Sequence, residues 1–231
     1  MNIVKFDFAS EFIDLITEEY KDKIDFELVG LLTRTSEVYT LSYDSKILSG
    51  IFEILCEPIV AKICTRNKLC LEKSSQTFYP DFTIFQDRDG MKHAVEIKST
   101  YRRFNKKNEV KPFIYTLGSY KSYLRDPQGK KNILYPYHEY CKHWIIGFLY
   151  SRNPACEGTE IKQVIEAASL QTPFIDIEWF IQEKHKIAGR IRGSGNTTNI
   201  GSIKSNVMKD FQNGKMGFKS KAEFDEYWRN Y

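Results

Sequence analysis

The reading of this chain turns on FYPDFTIFQDRDGMKHAVEIKSTY, residues 78–101. Asp81-Phe-Thr-Ile-Phe is aromatic and β-branched, Arg88-Asp-Gly carries turn chemistry, and His93-Ala-Val-Glu-Ile-Lys resumes a strand, which together predict a β-hairpin. Side chains alternate along a strand, so Glu96 and Lys98 share one face and Val95 and Ile97 the other. Pairing across the turn brings Asp81 towards the Glu96 face, gathering two carboxylates and an ammonium. Such a set suits a hard divalent cation such as Mg2+, which takes few carboxylates and leaves positions for phosphate oxygens. A lysine beside it would assist an attacking water or neutralise charge on a phosphoryl transition state. Charges also alternate on the wet face of many antiparallel strands, so the hairpin alone leaves a metal site and a solvated face both open.

Working outward, residues 9–20 read as an amphipathic helix with Ser10 as N-cap, and residues 26–33 and 38–41 as strands about a polar turn. Residues 45–65 form the longest helical pattern, with Ile47, Leu48, Ile51, Ile54, Leu55, Ile59 and Ile63 as the buried stripe. A kink or break is expected at Pro58. Ser49, Glu53 and Glu57 mark the opposite stripe and read as an exposed face. Gly50 costs a helix roughly 1 kcal/mol against alanine, so another backbone is expected to approach it. Residues 101–111 carry five basic side chains: a solvated loop or, beside a metal-binding hairpin, a phosphate grip. Residues 143–150 are nearly unbroken in apolar character, as a central strand covered on both faces should be. Residues 160–170 read as a helix, 172–182 as a strand and 222–229 as a short aromatic helix.

A second informative stretch is IAGRIRGSGNTTNIGS, residues 187–202, with four glycines inside thirteen residues among Ser, Thr and Asn. It predicts an exposed loop with positive φ values and matches neither a P-loop nor a dinucleotide fingerprint. One reading is a flexible hairpin. The other is a groove reader, in which small residues let the backbone approach base edges while Asn196 bonds adenine N6 and N7 and Thr197 touches a thymine methyl.

Composition bounds these readings. Thirty-four Lys and Arg against thirty Asp and Glu give +4 over 231 residues, so net charge does not by itself establish a nucleic-acid partner. The 14 Tyr and 16 Phe suit a β-rich core or a large interface. Five cysteines without a C-x-x-C read as reduced thiols, and His138 and His143 are poorly spaced for zinc. No segment has the apolar length of a membrane span, and acids interrupt the N-terminus where a signal peptide needs an apolar run. A cytoplasmic protein without a membrane partner is expected.

Several segments in order along nearly the whole chain resemble the type II restriction endonucleases of the PD-(D/E)xK superfamily. They are Lys46-Ile-Leu-Ser, Ile51-Phe-Glu, Tyr79-Pro-Asp-Phe, Glu96-Ile-Lys, Thr116-Leu-Gly, His143-Trp-Ile-Ile-Gly, the run GSGNTTNIGS from Gly193, and Tyr227-Trp-Arg-Asn-Tyr. The ten-residue run is the specific part of the likeness; Pro-Asp followed after fourteen residues by Glu-x-Lys is not specific alone. The resemblance implies one α/β domain over residues 1–231 with a restriction-endonuclease-like fold: a central mixed β-sheet flanked by helices, with an added β-hairpin and loop for DNA recognition.

By the same resemblance the chain is expected to be a homodimer that hydrolyses double-stranded DNA within the palindrome GATATC. Blunt ends, 5′-phosphate and 3′-hydroxyl products and a companion DNA methyltransferase in the host are implied with it. Mg2+ is the implied cofactor, with Mn2+ substituting and Ca2+ supporting binding without cleavage. Asp81 and Glu96 would hold the metal, Lys98 would assist the attacking water, and Glu53 would be an accessory carboxylate. Gly193, Gly195, Asn196 and Thr197 would read bases in the major groove, and Gln76 would lie on a loop facing the minor groove. Lys46, Ser99, Thr100, Lys131, Arg152 and Asn199 would support the DNA backbone or the active site. The chain departs from the closest pattern at Glu96, where aspartate is expected, and at Thr77 and Phe78, which replace an amide and a histidine. That pattern also continues past the position of Tyr231 with a basic tail. A DNA-binding homologue with impaired catalysis and a structure-selective repair nuclease are the alternatives.

Overall fold

The computed structural model describes residues 3–21, 24, 26–193 and 198–231. Helix α1 (Phe8–Tyr20) begins at Asp7, whose carboxylate accepts from the Ala9 and Ser10 amides; Ser10, expected as the cap, instead donates its hydroxyl to Asp7. Strands β1 (Gly30–Leu32) and β2 (Glu37–Thr40) flank the expected polar turn. Helix α2 (Ser45–Arg66), capped by Asp44, continues through Pro58 without a break. It buries Leu48, Ile51, Phe52, Cys56, Ile59, Val60 and Ile63, whereas Ile47 and Ile54, expected inside, are exposed. The face is set by Phe52, which stacks on Phe148 at 4.6 Å between ring centroids. Gly50 meets no neighbouring backbone, contrary to expectation; space around it is open.

The chain then lays down β3 (Cys70–Lys73), β4 (Phe82–Phe85), β5 (Lys92–Tyr101), β6 (Thr116–Ser119), β7 (Tyr140–Arg152), β8 (Ile161–Gln163) and β9 (Phe174–Glu183). Residues 160–170, expected to be helical, form β8 and a 3-10 turn at Val164–Ser169. Pairing of β8 with β2 satisfies its backbone, and in so short a segment the tertiary partner outweighs local periodicity. A four-residue helix α3 (Lys184–Ile187) leads into β10 (Ala188–Arg192) and β11 (Asn199–Ser202), followed by α4 (Met208–Asn213) and α5 (Lys221–Asn230).

The central sheet has the order β3-β4-β5-β7-β9, antiparallel except where β5 runs parallel to β7. It is therefore the mixed sheet expected, with helices on both faces. Against one face, α1 and α2 pack Phe12, Phe52 and Ile59 on Val95, Ile97, Ile146 and Phe148. Against the other, Tyr115, Leu117, Phe211 and Trp228 cover Ala94, Ile145, Leu149 and Phe180. Each large side chain buried in these layers contributes about 1.5–3 kcal/mol. A second sheet, β10-β11-β6, carries the glycine-rich segment, and a third, β1-β2-β8, stands apart from the central one. All five cysteines are free thiols. Among the described residues no helix is long and apolar enough to cross a membrane.

Candidate active site

Hairpin register builds the site. Phe82 pairs with Val95, so Asp81, one residue before β4, stands beside Glu96 and Ile97. Asp81 Oδ2 accepts the Ile97 N–H at 2.6 Å, which fixes the carboxylate against β5. Lys98 Nζ lies 2.9 Å from Glu96 Oε1 and 3.9 Å from Asp81 Oδ2. Val95 and Ile97 point the other way, into the α1/α2 layer. The two acids and the amine are thus together, on the face the alternation requires.

One member of the cluster escaped the sequence reading. Lys184, first residue of α3, is 2 % exposed and places Nζ 3.1 Å from Glu96 Oε2. Its ammonium also lies 4.5 Å from the Tyr79 ring centroid and 5.7 Å from that of Tyr123. In sequence Lys184 sits inside Gln-Glu-Lys-His-Lys, which has the look of a solvated turn, and only the return of β9 beside β7 carries it inward. Gly118 completes the enclosure: its φ is +85°, and a Cβ there would lie 3.6 Å from Lys184 Nζ and 3.8 Å from Glu96 Oε1.

Charge is unevenly balanced across this set. Burial pushes Glu96 up, but Lys184 and Lys98 outweigh it and hold Glu96 below the usual carboxylate range. Burial pulls Lys98 down, yet Glu96 and Asp81 raise it above the ordinary lysine range, so it stays an ammonium. For Lys184 burial prevails over Glu96 and the direction is downward. Asp81 is raised by burial, with Lys98 opposing and Glu96 adding to the rise. Glu53 is raised by burial and then by Asp81. The lysines therefore serve Glu96 first and leave Asp81 and Glu53 under-compensated. A divalent cation beside Asp81 and Glu96 is the charge this set lacks, and a small number of carboxylates suits a hard ion that keeps waters. Among the described residues no three His, Cys, Asp or Glu side chains form a closed metal cage.

These groups open into a cleft of about 680 Å³. Lys46, Gly50 and Glu53 reach it from α2, Gln76, Thr77 and Phe78 from the loop before Asp81, and Gly118, Ser119 and Ser122 from β6 and beyond. Of the expected residues, Lys46, Glu53, Gln76, Asp81 and Glu96 line this cleft, and Lys98 is paired to the two acids without lining it. Ser99, Thr100, Lys131, Arg152 and Asn199 do not line it. Arg152 instead stacks 3.6 Å from the Tyr101 ring centroid, Lys131 is exposed in the loop before β7, and Asn199 opens β11 and accepts the Gly193 amide through its carbonyl. Gly193 packs closely, since a Cβ would meet the Ile200 carbonyl oxygen at 3.0 Å. Gly195, Asn196 and Thr197 lie outside the described residues. The basic run divides: Arg102 pairs with Glu178, while Arg103, Lys106, Lys107 and Lys111 are exposed. A larger cleft, about 1090 Å³ along β9, holds none of these acids and amines.

Residues 22–231 match the family model described as restriction endonuclease EcoRV. The chain is also 40% identical over 222 residues to the type II restriction enzyme EcoRV of Escherichia coli, covering 94% of this chain and 87% of that one. The chain therefore belongs to the EcoRV restriction endonuclease family, and is a site-specific deoxyribonuclease that hydrolyses DNA phosphodiesters.

Proposed function

We propose that this enzyme is a homodimer that cuts double-stranded DNA within GATATC in the presence of Mg2+, leaving blunt ends with 5′-phosphate and 3′-hydroxyl termini. The convergence of Asp81 and Glu96 on an open cleft, with Lys98 paired to both, carries this reading. Asp81 and Glu96 would hold the ion, with Glu53 beside them. Once bound, a divalent ion supplies neutralising charge and lowers the pKa of a water. Lys98, kept protonated by its two acids, orients the attacking water and stabilises charge on the phosphoryl oxygens. Lys46 and Gln76 line the walls along which a duplex would run. Mn2+ would replace Mg2+, and Ca2+ would support binding alone.

Gly193, Gly195, Asn196 and Thr197 would read the outer base pairs, and two-fold symmetry would present the same loop to each half of a palindrome. A central TA step is easily kinked, so bending adds selectivity where nothing touches the bases. Exposed apolar side chains on the third sheet support the homodimer: Leu31, Tyr39 and Ile161 stand in register across β1, β2 and β8, and Ile165 in the turn after β8 is 89 % exposed. In a cytoplasm, such an enzyme works beside a DNA methyltransferase that protects the host's own sites.

Digestion of supercoiled plasmid with Mg2+, with the ends mapped by sequencing, tests the proposal. Blunt cuts at GATATC are expected; cuts at junctions regardless of sequence, or an intact plasmid with a footprint, would overturn it. Asp81→Ala and Lys98→Ala should lose cleavage and keep Ca2+-supported binding. Asn196→Ala should lose discrimination at the A·T pair by about 1–3 kcal/mol.

A further inference from the structure

Lys184 is a buried charge for which the fold makes unusual provision. A methionine would fill the same volume without bringing an ammonium into the core, where an uncompensated charge costs several kcal/mol. The ammonium is instead held from several sides. Glu96 Oε2 lies 3.1 Å away and the Tyr79 ring 4.5 Å. The backbone behind Lys184 is tied down too: Gly217 N–H donates to the Lys186 carbonyl at 3.0 Å and Phe218 N–H to that of His185 at 2.8 Å. Tyr79 is itself fixed, its hydroxyl 2.6 Å from His143 Nδ1 and its N–H donating to the Asn132 carbonyl at 3.0 Å. Two residues further on, the same segment delivers Asp81.

We infer that Lys184 is a positioning residue for DNA cleavage: its ammonium fixes Glu96 Oε2, which leaves Oε1 aimed at Lys98 and the Asp81 side of the cleft. The inference rests on Asp81 and Glu96 being the acids of the reaction. A glutamate reaches its carboxylate through more rotatable bonds than an aspartate, so a free Glu96 samples several placements. Held by Lys98 on Oε1 and by Lys184 on Oε2, it has one. Lys184 approaches from α3, just past the end of β9, whereas Glu96 stands on β5, so the clamp ties together two strands of the central sheet that do not pair with each other.

Full-length wild type, Lys184→Met and Lys184→Arg separate positioning from simple space-filling. Single-turnover cleavage at saturating Mg2+, thermal unfolding, and Mn2+ binding to the DNA complex by electron paramagnetic resonance are measured for each. Lys184→Met leaves buried Glu96 with Lys98 as its remaining cation and should unfold well below wild type, yet bind Mn2+ at least as tightly, because removing a cation leaves the acids more negative. It should nevertheless cleave about 100-fold more slowly, the usual cost of a misplaced group. Lys184→Arg, bulkier but still cationic, should regain much of the rate. Slow cleavage with undiminished Mn2+ binding in Lys184→Met, and the return of rate with a cation in Lys184→Arg, are what a space-filling role does not produce. Wild-type cleavage by Lys184→Met, a Lys184→Arg as slow as Lys184→Met, or Mn2+ binding lost together with the rate would overturn the inference. Should Lys184→Met fail to fold, Lys184→Gln is held to the same two criteria. A wild type that leaves every plasmid uncut overturns the nuclease proposal instead, so the two failures are distinguishable.

Discussion

Gly118→Ala tests the packing of the site with the smallest possible change. At φ +85° the backbone of residue 118 lies in a region that side-chain-bearing residues avoid, at about 1–3 kcal/mol. The new Cβ would stand 2.7 Å from the Tyr123 hydroxyl oxygen, so something must move. Tyr123 has little freedom to do so, being 3 % exposed and stacked on Tyr79 at 4.7 Å and on Tyr137 at 5.5 Å. Overpacking of this kind costs about 1–3 kcal/mol. The combined loss of about 2–6 kcal/mol is within what a domain in the middle of the ordinary stability range, about 10 kcal/mol, can lose and stay folded. Because the methyl would also touch Lys184 Nζ and Glu96 Oε1, the strain is transmitted to the acid, and cleavage should fall by about 100-fold. Urea unfolding and single-turnover plasmid cleavage measure the two effects side by side. A variant as stable and as fast as wild type would refute the packing described here. Lost stability with an intact rate would show that Gly118 relieves backbone strain but does not shape the site.

Acid should unfold the protein partly through His93, which is buried and held neutral. Burial, then Lys142, bring its pKa from 6.5 down to about 4. Because the folded value is the lower one, this contribution is whole above pH 6.5 and is lost as the pH falls towards 4, a change of about 3 kcal/mol. His93→Gln keeps an acceptor for Trp144 Nε1 and should flatten the stability profile over that interval in urea titrations, leaving a slope from His143, which is also depressed by burial; an unchanged profile would contradict the assignment. Leu31→Glu or Ile161→Glu places a charge in the exposed apolar row of the third sheet and should weaken self-association by about 2 kcal/mol, roughly 30-fold in Kd. Sedimentation equilibrium reads this directly, and a dimer as tight as wild type would exclude that face.

Local signals were enough for the hairpin and the central strand. Phe82–Phe85 and Lys92–Tyr101 combine β-forming residues with a turn of fixed chemistry, and the period of a strand alone puts Glu96 and Lys98 together. The unbroken apolar run in β7 foretold burial on both faces, since neighbours above and below both need apolar partners. Where pairing with a distant strand decides the outcome, periodicity misleads: Ile161–Gln163 joins β2 rather than a helix. Glu53 was a similar case, reading as an exposed helix face because nothing in α2 reveals that a cleft opens beside it. Gly50 pointed to the close approach of another backbone, and the space beside it is open instead. Lys184 left no local signal, because a lysine between a glutamate and a histidine has the composition of a solvated turn.

Charge placement explains why the nuclease reading depends on a cation in a way that the hairpin motif does not disclose. If the lysines were spread evenly over the acids, a phosphodiester could approach a nearly neutral cleft. Instead both ammoniums sit closest to Glu96, which is depressed, while burial outweighs what Lys98 does for Asp81 and Glu53 and leaves both raised. The backbone phosphate of a duplex entering between Lys46 and Gln76 would then meet carboxylates short of positive charge. Repulsion of that kind is relieved only by protonation or by a divalent ion, and at neutral pH the ion is the effective remedy. The same deficit that would draw the ion in thus makes tight DNA binding conditional on it, so Ca2+, able to neutralise the acids, should strengthen specific binding even where cleavage fails.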